Sequence, residues 1–250
     1  MGFKKFIKVG VVSLAICAMS IPTIKVNADE VNSSNSVQVD LNNPESSDEI
    51  TEAMNYDEFV AFMSENENIS IEEAKDIIGE ETLVPYNEAV EQISDEQNIS
   101  IKKARTLLDE DQLVNTNAGV QVRANKYRTI SRMVYVTATY KPTINWYCMT
   151  NESGNWHGIK KVISTSLNRG YRGISKVFDG YITTRLENCY TIFYILNGDF
   201  FNNGTMTISG GGTDIPIGKD AKVSFSVSYS KKLYQYKYEE GRRKWGSGVR

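Results

Sequence analysis

The 250-residue chain contains one histidine, three cysteines and five prolines. A single imidazole excludes a multi-histidine metal centre, and so few thiols argue against a Cys/His zinc site. The chain also lacks a P-loop, a dinucleotide-binding glycine fingerprint, an HExxH helix and an EF-hand loop. No metal and no cofactor is therefore expected. Past the N-terminus no apolar run reaches the roughly 20 residues of a membrane span. A hydrophobic content of 40% in turn excludes disorder along the whole chain.

The apolar run that is present stands at the start. Lys4, Lys5 and Lys8 precede an apolar stretch from Val9 to Ile21, and Val26-Asn27-Ala28 leads into Asp29-Glu30. A basic start, a short apolar centre and a small residue before the cut describe a secretory signal peptide of bacterial type over residues 1–28, removed after Ala28. Pro22 and Lys25 break the apolar pattern, which argues against a membrane anchor. The mature chain is expected to be secreted and soluble. It keeps Cys148 and Cys189, and an even count in an oxidising compartment favours a disulfide over two buried free thiols or a catalytic thiol. Such a bridge would close a loop of about 40 residues and stabilise the fold by about 4 kcal/mol through chain entropy.

The net charge of −3 conceals a division: residues 1–28 carry +4, residues 29–119 carry −19, and residues 120–250 carry +12. Residues 29–50, rich in Asn, Ser and Asp, read as a flexible acidic linker. Residues 51–114 hold two copies of a unit offset by 30: Tyr56-Asp57-Glu58-Phe59-Val60 aligns with Tyr86-Asn87-Glu88-Ala89-Val90, and Asn68-Ile69-Ser70-Ile71 with Asn98-Ile99-Ser100-Ile101. Tyr56, Phe59, Val60 and Met63 have helical spacing, as do Tyr86, Ala89, Val90 and Ile93. Ser70 and Ser100 are placed as N-caps of second helices, with Glu73 set to complete a capping box in the first unit. The inward faces of those helices are expected to be Ile71, Ala74, Ile77, Ile78 and Ile101, Ala104, Leu107, Leu108. Each unit is thus a small helical hairpin that must stack on something to bury its stripe.

Residues 115–126 read as a linker into a domain of 127–250 in which alternation replaces helical spacing. Strands are expected over 134–140, 143–148, 159–166, 174–178, 181–186, 189–196, 204–209, 223–230 and 233–238, separated by Gly/Asn/Asp turns. In 223–230 the serines should face solvent. The expected fold is α+β overall: the signal peptide, the acidic two-unit helical-hairpin repeat, and an all-β antiparallel sandwich.

Catalytic groups are few. Cys148 and His157 suggest a Cys–His pair, and Glu152, Asp179, Glu187 and Asp199 could supply the two carboxylates of a glycoside hydrolase. Turn formation and surface charge explain most of these more simply, as a hairpin end explains Gly210-Gly211-Gly212. A non-enzymatic role is therefore expected. What remains is a basic, tyrosine-rich surface: Lys160, Lys161, Arg169, Arg172, Lys176, Lys231, Lys232, Lys237, Arg242, Arg243 and Lys244, interleaved with Tyr171, Tyr234, Tyr236, Tyr238 and Trp245. Cations beside rings suit anionic wall polymers or lipid surfaces, and nucleic acid only through non-specific charge. The leading expectation is a secreted binding or antibacterial-type sandwich masked in cis by the acidic repeats and released by cleavage within 115–126. The alternative is an uncut two-domain surface-binding or adhesion protein, and a third is a hydrolase on a sandwich scaffold. In architecture alone, the layout resembles that of exported Gram-positive proteins.

Overall fold

The computed structural model describes residues 26–27, 49–108, 110–153, 156–210, 214–229 and 232–245. Most of the expected signal peptide, its cleavage point Ala28, almost all of the acidic linker, Gly211, Gly212 and Lys231 lie outside the described residues. In chain order the elements are β1 (Val26–Asn27), α1 (Tyr56–Glu67), α2 (Ile71–Ile78), β2 (Leu83–Pro85), α3 (Tyr86–Gln97), α4 (Ile101–Arg105), β3 (Leu113–Thr116) and β4 (Gly119–Arg123). Then come β5 (Lys126–Met133), β6 (Thr143–Ser153), β7 (Trp156–Asn168), β8 (Gly170–Tyr171), β9 (Ile174–Ser175), β10 (Val177–Asn188) and β11 (Thr191–Phe201). The chain closes with β12 (Thr205–Ser209), β13 (Ile215–Pro216), β14 (Asp220–Ser228) and β15 (Leu233–Lys244).

Two antiparallel sheets face each other in a sandwich-like arrangement. One has four strands in the order β13-β7-β6-β5, and the other six in the order β1-β12-β14-β10-β11-β15. Period-two alternation aims Ile130, Ile144, Trp146 and Val162 of the first at Ile182, Leu186, Ile192, Leu196 and Phe225 of the second, in one continuous core. Within it the Trp146 indole donates to Thr184 Oγ1 at 3.0 Å, so the buried N–H has its partner. Ser226 and Ser228 on β14 face solvent, as their alternation with Val223 and Phe225 required. Gly180 and Gly198 stand directly opposite each other on β10 and β11. A Cβ on Gly198 would lie 2.8 Å from the Phe178 ring, which packs over this bare stretch of backbone.

Alternation misleads at 134–140. These residues form an irregular connection between β5 and β6, with Val134 and Tyr140 in the core and a single bridge between Thr137 and Tyr140. Nor is 115–126 a linker. Its residues form the end of β3, all of β4 and the start of β5, and β4 pairs with both β3 and β2, the segment between the two helical units. A strand at the heart of a three-stranded sheet ties the repeats to the sandwich.

Several local features recur at the 30-residue offset. Asn68 and Asn98 both end a helix in the left-handed conformation, at φ 53° and 50°. Ser64 and Ser94 each donate a hydroxyl bond of 2.6 Å to the carbonyls of Ile69 and Ile99. Ser70 and Ser100 accept from the backbone amides of Glu73 and Lys103, as N-caps should. The full capping box occurs at Asn55 and Glu58, ahead of α1. The second unit is shorter: α4 stops at Arg105, before Leu107 and Leu108.

The first unit closes over the outer face of the four-stranded sheet. Tyr56, Phe59, Val60 and Met63 of α1, with Ala74 and Ile78 of α2, form a second core with Tyr127, Tyr147 and Ile163. Phe59 stacks on Tyr127 with ring centroids 5.0 Å apart and meets Tyr147 edge-on at 6.0 Å. The segment entering α1 runs antiparallel along the free edge of β5, with Thr51 and Met54 hydrogen-bonded to Thr129 and Tyr127. The result is three layers: helices, four-stranded sheet, six-stranded sheet. Phe59 is completely buried. Its replacement by Ala should cost about 3–5 kcal/mol, read as a lowered denaturant midpoint, whereas Phe62→Ala, only partly buried, should cost clearly less.

Candidate functional site

The basic and aromatic candidates do not converge. Lys161 pairs with Asp214 at 2.6 Å, Lys237 with Glu239 at 3.1 Å and Arg242 with Glu187 at 2.8 Å. Lys160 donates to Asn125, Arg169 to the Lys176 carbonyl, and Arg243 to the Ser131 carbonyl across the mouth of the sandwich. Arg172 lies over the Tyr171 ring, and Lys232 and Lys244 are exposed. Tyr171 and Trp245 are buried, so neither offers a contact surface. Trp245 instead packs just past β15, with the His157 ring 5.0 Å away and the Arg128 guanidinium over its face at 5.6 Å. A register shift in the pairing with β11 at Phe200/Phe201 turns Tyr234 inward, where its hydroxyl meets Thr137 at 2.9 Å and Lys176 covers the ring. Tyr236 and Tyr238 alone among the five aromatic candidates stand on an open face.

That face is the outer side of the six-stranded sheet. The register sets Ser224, Tyr181, Asn197 and Tyr238 in one row across β14, β10, β11 and β15. The next row is Lys222, Thr183, Ile195 and Glu240, and the one after it Asp220, Arg185, Phe193 and Arg242. On the other side of the first row Asp179 faces Asp199, and Asp199 faces Tyr236. The rings are held by their hydroxyls. Tyr236 donates to Asn197 Oδ1 at 2.9 Å, Asn197 Nδ2 donates to the Tyr181 hydroxyl at 3.1 Å, and Tyr238 donates to Glu240 at 2.8 Å. Tyr236 and Tyr238 nonetheless remain 52% and 50% exposed. Each arginine here is committed: Arg185 to Asp220 and Arg242 to Glu187, with both guanidinium groups over the Phe193 ring. Each pair holds its carboxylate below the usual range. Lys222 lies 3.8 Å over the Tyr181 ring.

Tyr181, Phe193 and Asn197 were absent from the sequence candidates, which followed closeness of Lys and Arg to Tyr along the chain. Parity was the missing signal: on one strand, only every second residue shares a face.

The catalytic alternatives are not assembled. Cys148 is buried in the core opposite Val162, while His157 pairs with Glu152 at the far end of the hairpin. Burial pushes the Cys148 thiol up, away from a reactive thiolate. The expected disulfide is not formed: Cys148 and Cys189 are both free. Cys189 sits at the turn between β10 and β11, where its carbonyl accepts from Ile159, whereas the Cys148 sulfur turns inward and meets the Trp146 carbonyl at 3.5 Å. Glu152 is clamped by Arg128 through two bonds of 2.8 Å, and hydrogen bonding keeps its carboxyl low against the cost of burial. Asp179 faces Asp199 but accepts from the Val227 amide. Among the described residues no group of three or more His, Cys, Asp or Glu could hold a metal ion, and no helix is long and apolar enough to cross a membrane.

Two further features lie where helices meet strands. Glu67, at the end of α1, accepts from the Tyr147 hydroxyl and, at 2.8 Å, from Ser166. Burial drives its carboxyl above the usual range despite those bonds. Between the second unit and the sandwich lies a pocket of about 80 Å³, lined by Ala89, Ile93, Leu107, Leu108, Val122 and Lys160 among others. Leu107 and Leu108, expected on a helix face, therefore line its wall.

No family model, no curated protein and no solved structure matches the chain.

Thiol labelling checks the cysteine assignment: in the chain without residues 1–28, and so without Cys17, one equivalent of a maleimide should react natively, at Cys189, and a second only after denaturation. Glu67 makes stability depend on pH. With its folded value raised, the native chain holds a proton that the unfolded chain has released, so the contribution of Glu67 to stability is greatest below the ordinary glutamate value of about 4.3 and declines as pH rises through the folded value. Glu67→Gln should flatten that decline, measured as the melting temperature of variant against parent between pH 4 and 8.

Proposed function

We propose that the protein is an exported, non-enzymatic binding module that presents the outer face of its larger sheet, β12-β14-β10-β11-β15 once β1 leaves with the signal peptide, to a cell-surface polymer. The observation that carries this reading is the asymmetry of the sandwich. One outer face is sealed by Phe59 and its helical unit, while the other leaves hydrogen-bonded tyrosine rings in solvent. Rings whose hydroxyls are already satisfied lose little freedom on binding, which favours contact through them.

The same geometry supports the uncut form over a removable pro-segment. The first unit is seated by stacked rings and by backbone bonds along β5, and charge enters the joint at Arg123, which reaches Asp57 at 2.8 Å and Glu81 at 3.0 Å. A cut within 115–126 would break a paired strand and leave that apolar joint in place. Screening by salt would weaken Arg123's contribution and leave the stacked rings largely untouched. Attraction between a −19 and a +12 segment is thus an auxiliary to the docking.

The ligand is a wall or surface polymer, and contact through rings takes the place of the anionic attraction first expected, because the cations of this face are engaged with carboxylates or rings. Co-sedimentation of the full chain with isolated bacterial walls tests the reading. Binding is expected to survive 0.5 M salt and to fall at least tenfold in Tyr236→Ala and Tyr238→Ala, while Lys160→Ala with Lys161→Ala binds as the parent does. Loss of binding in the lysine variant, or at 0.5 M salt, would return the function to anionic capture.

A further inference from the structure

Resting on that reading, we infer that the open sheet face is a glycan-binding platform for an uncharged pyranoside polymer, with Tyr236 and Tyr238 as stacking rings and Asn197 as the polar residue between them.

The argument begins with how the rings lie. A tyrosine on a strand would ordinarily stand away from the sheet, but the Tyr236 hydroxyl is bonded to Asn197 on the neighbouring strand, one rung away from its own partner Asp199. Tyr238 is bonded to Glu240, two residues along its own strand. Each hydroxyl bond fixes the tip of its ring, Tyr236 to Asn197 on β11 and Tyr238 to Glu240 on its own strand, while about half of each residue stays in solvent. Two such rings at alternate positions of β15 are separated by about 7 Å, and their exposures of 52% and 50% are those of plates rather than of buried anchors. Asn197 bridges Tyr236 to Tyr181, so these two rings form one hydrogen-bonded network across β10, β11 and β15, with Tyr238 held separately by Glu240.

The chemistry of the face then selects its occupant. A pyranose ring has an apolar C–H face and a rim of hydroxyl groups. Aromatic faces suit the first, and a surface of amide, hydroxyl and carboxylate oxygens suits the second. Around the rings stand Ser224, Thr183, Asn197, Asp199 and Glu240. Charge complementarity gives the polymer's sign. Arg185 and Arg242 are paired with Asp220 and Glu187, and beside the tyrosines three carboxylates, Asp179, Asp199 and Glu240, outnumber the one ammonium, Lys222 over Tyr181. An anionic chain would be repelled where it met the rings. An uncharged one would not, and its hydroxyls could donate to those carboxylates.

The test is titration calorimetry of the full chain with hexamers of glucose and of N-acetylglucosamine, paired with binding to wall material stripped of its anionic polymers. At least one hexamer should bind, with affinity changed less than twofold between 0.05 and 0.5 M salt. Tyr236→Ala and Tyr238→Ala should each weaken that affinity at least tenfold, Tyr238→Phe less than threefold, and Tyr229→Ala, exposed outside these rows, not at all. In the unaltered chain the same hexamer should protect Tyr236 and Tyr238 from nitration, a readout that needs no substitution. If neither hexamer binds, or if binding leaves nitration of both tyrosines unchanged, the glycan platform is overturned. Wall binding that is lost in Tyr236→Ala yet unaffected by both hexamers overturns the glycan alone and leaves the open face as the ligand surface. Wall binding indifferent to both tyrosines overturns the broader proposal as well.

Discussion

The structure turns on one aromatic contact, the Phe59 ring laid on Tyr127 and set against Tyr147. A sandwich has two outer faces, and in this chain they are made of different chemistry. The four-stranded sheet points Tyr127, Tyr147 and Ile163 outward, a surface too apolar to leave in water. Something has to cover it, and the first helical unit does. That cover is local to the four-stranded sheet, and among the described residues no helix packs on the outer face of the six-stranded one, so the two outer faces differ in chemistry and in exposure.

The same residue explains why two units so alike in sequence behave differently. Their caps, their left-handed asparagines and even the Ser64 and Ser94 hydroxyl bonds correspond. Where the first has Phe59 the second has Ala89, and the second unit is left bordering a pocket beside β4 instead of closing over a sheet. The units differ at Phe62 and Gln92 as well, so the first carries two rings that the second lacks.

Much of this was legible in the sequence. Helical spacing identified the buried stripe Tyr56, Phe59, Val60 and Met63, and hydroxyl placement identified the N-caps Ser70 and Ser100. Period-two alternation located most long strands and the solvent-facing serines of β14. Alternation failed at 134–140 because the same residue types serve a loop whose side chains reach into the core. Composition failed at 115–126 because Asn, Gly and Thr suit a short hairpin as well as a linker, and only pairing with β2, a distant segment, separates the two. The candidate surface was half legible. Tyr236 and Tyr238 were identified, but neighbours on β10 and β11 come from other strands, and a register shift removed Tyr234 from the set. Net charge was the least informative guide, since it ignores the carboxylates beside Arg185 and Arg242.

The sequence distances across the helix–sheet joint imply an order of assembly. Thr51 hydrogen-bonds 78 residues away at Thr129, and Glu67 99 residues away at Ser166. Contacts of that separation form late, after the hairpins that supply their partners. A chain that emerges N-terminus first therefore presents its helical units before their seat exists. During that interval their concentrated negative charge acts as a solubility tag, keeping the exposed Phe59 stripe from self-association until β5 to β7 arrive. The acidity of the repeats would then serve the nascent chain more than the finished one.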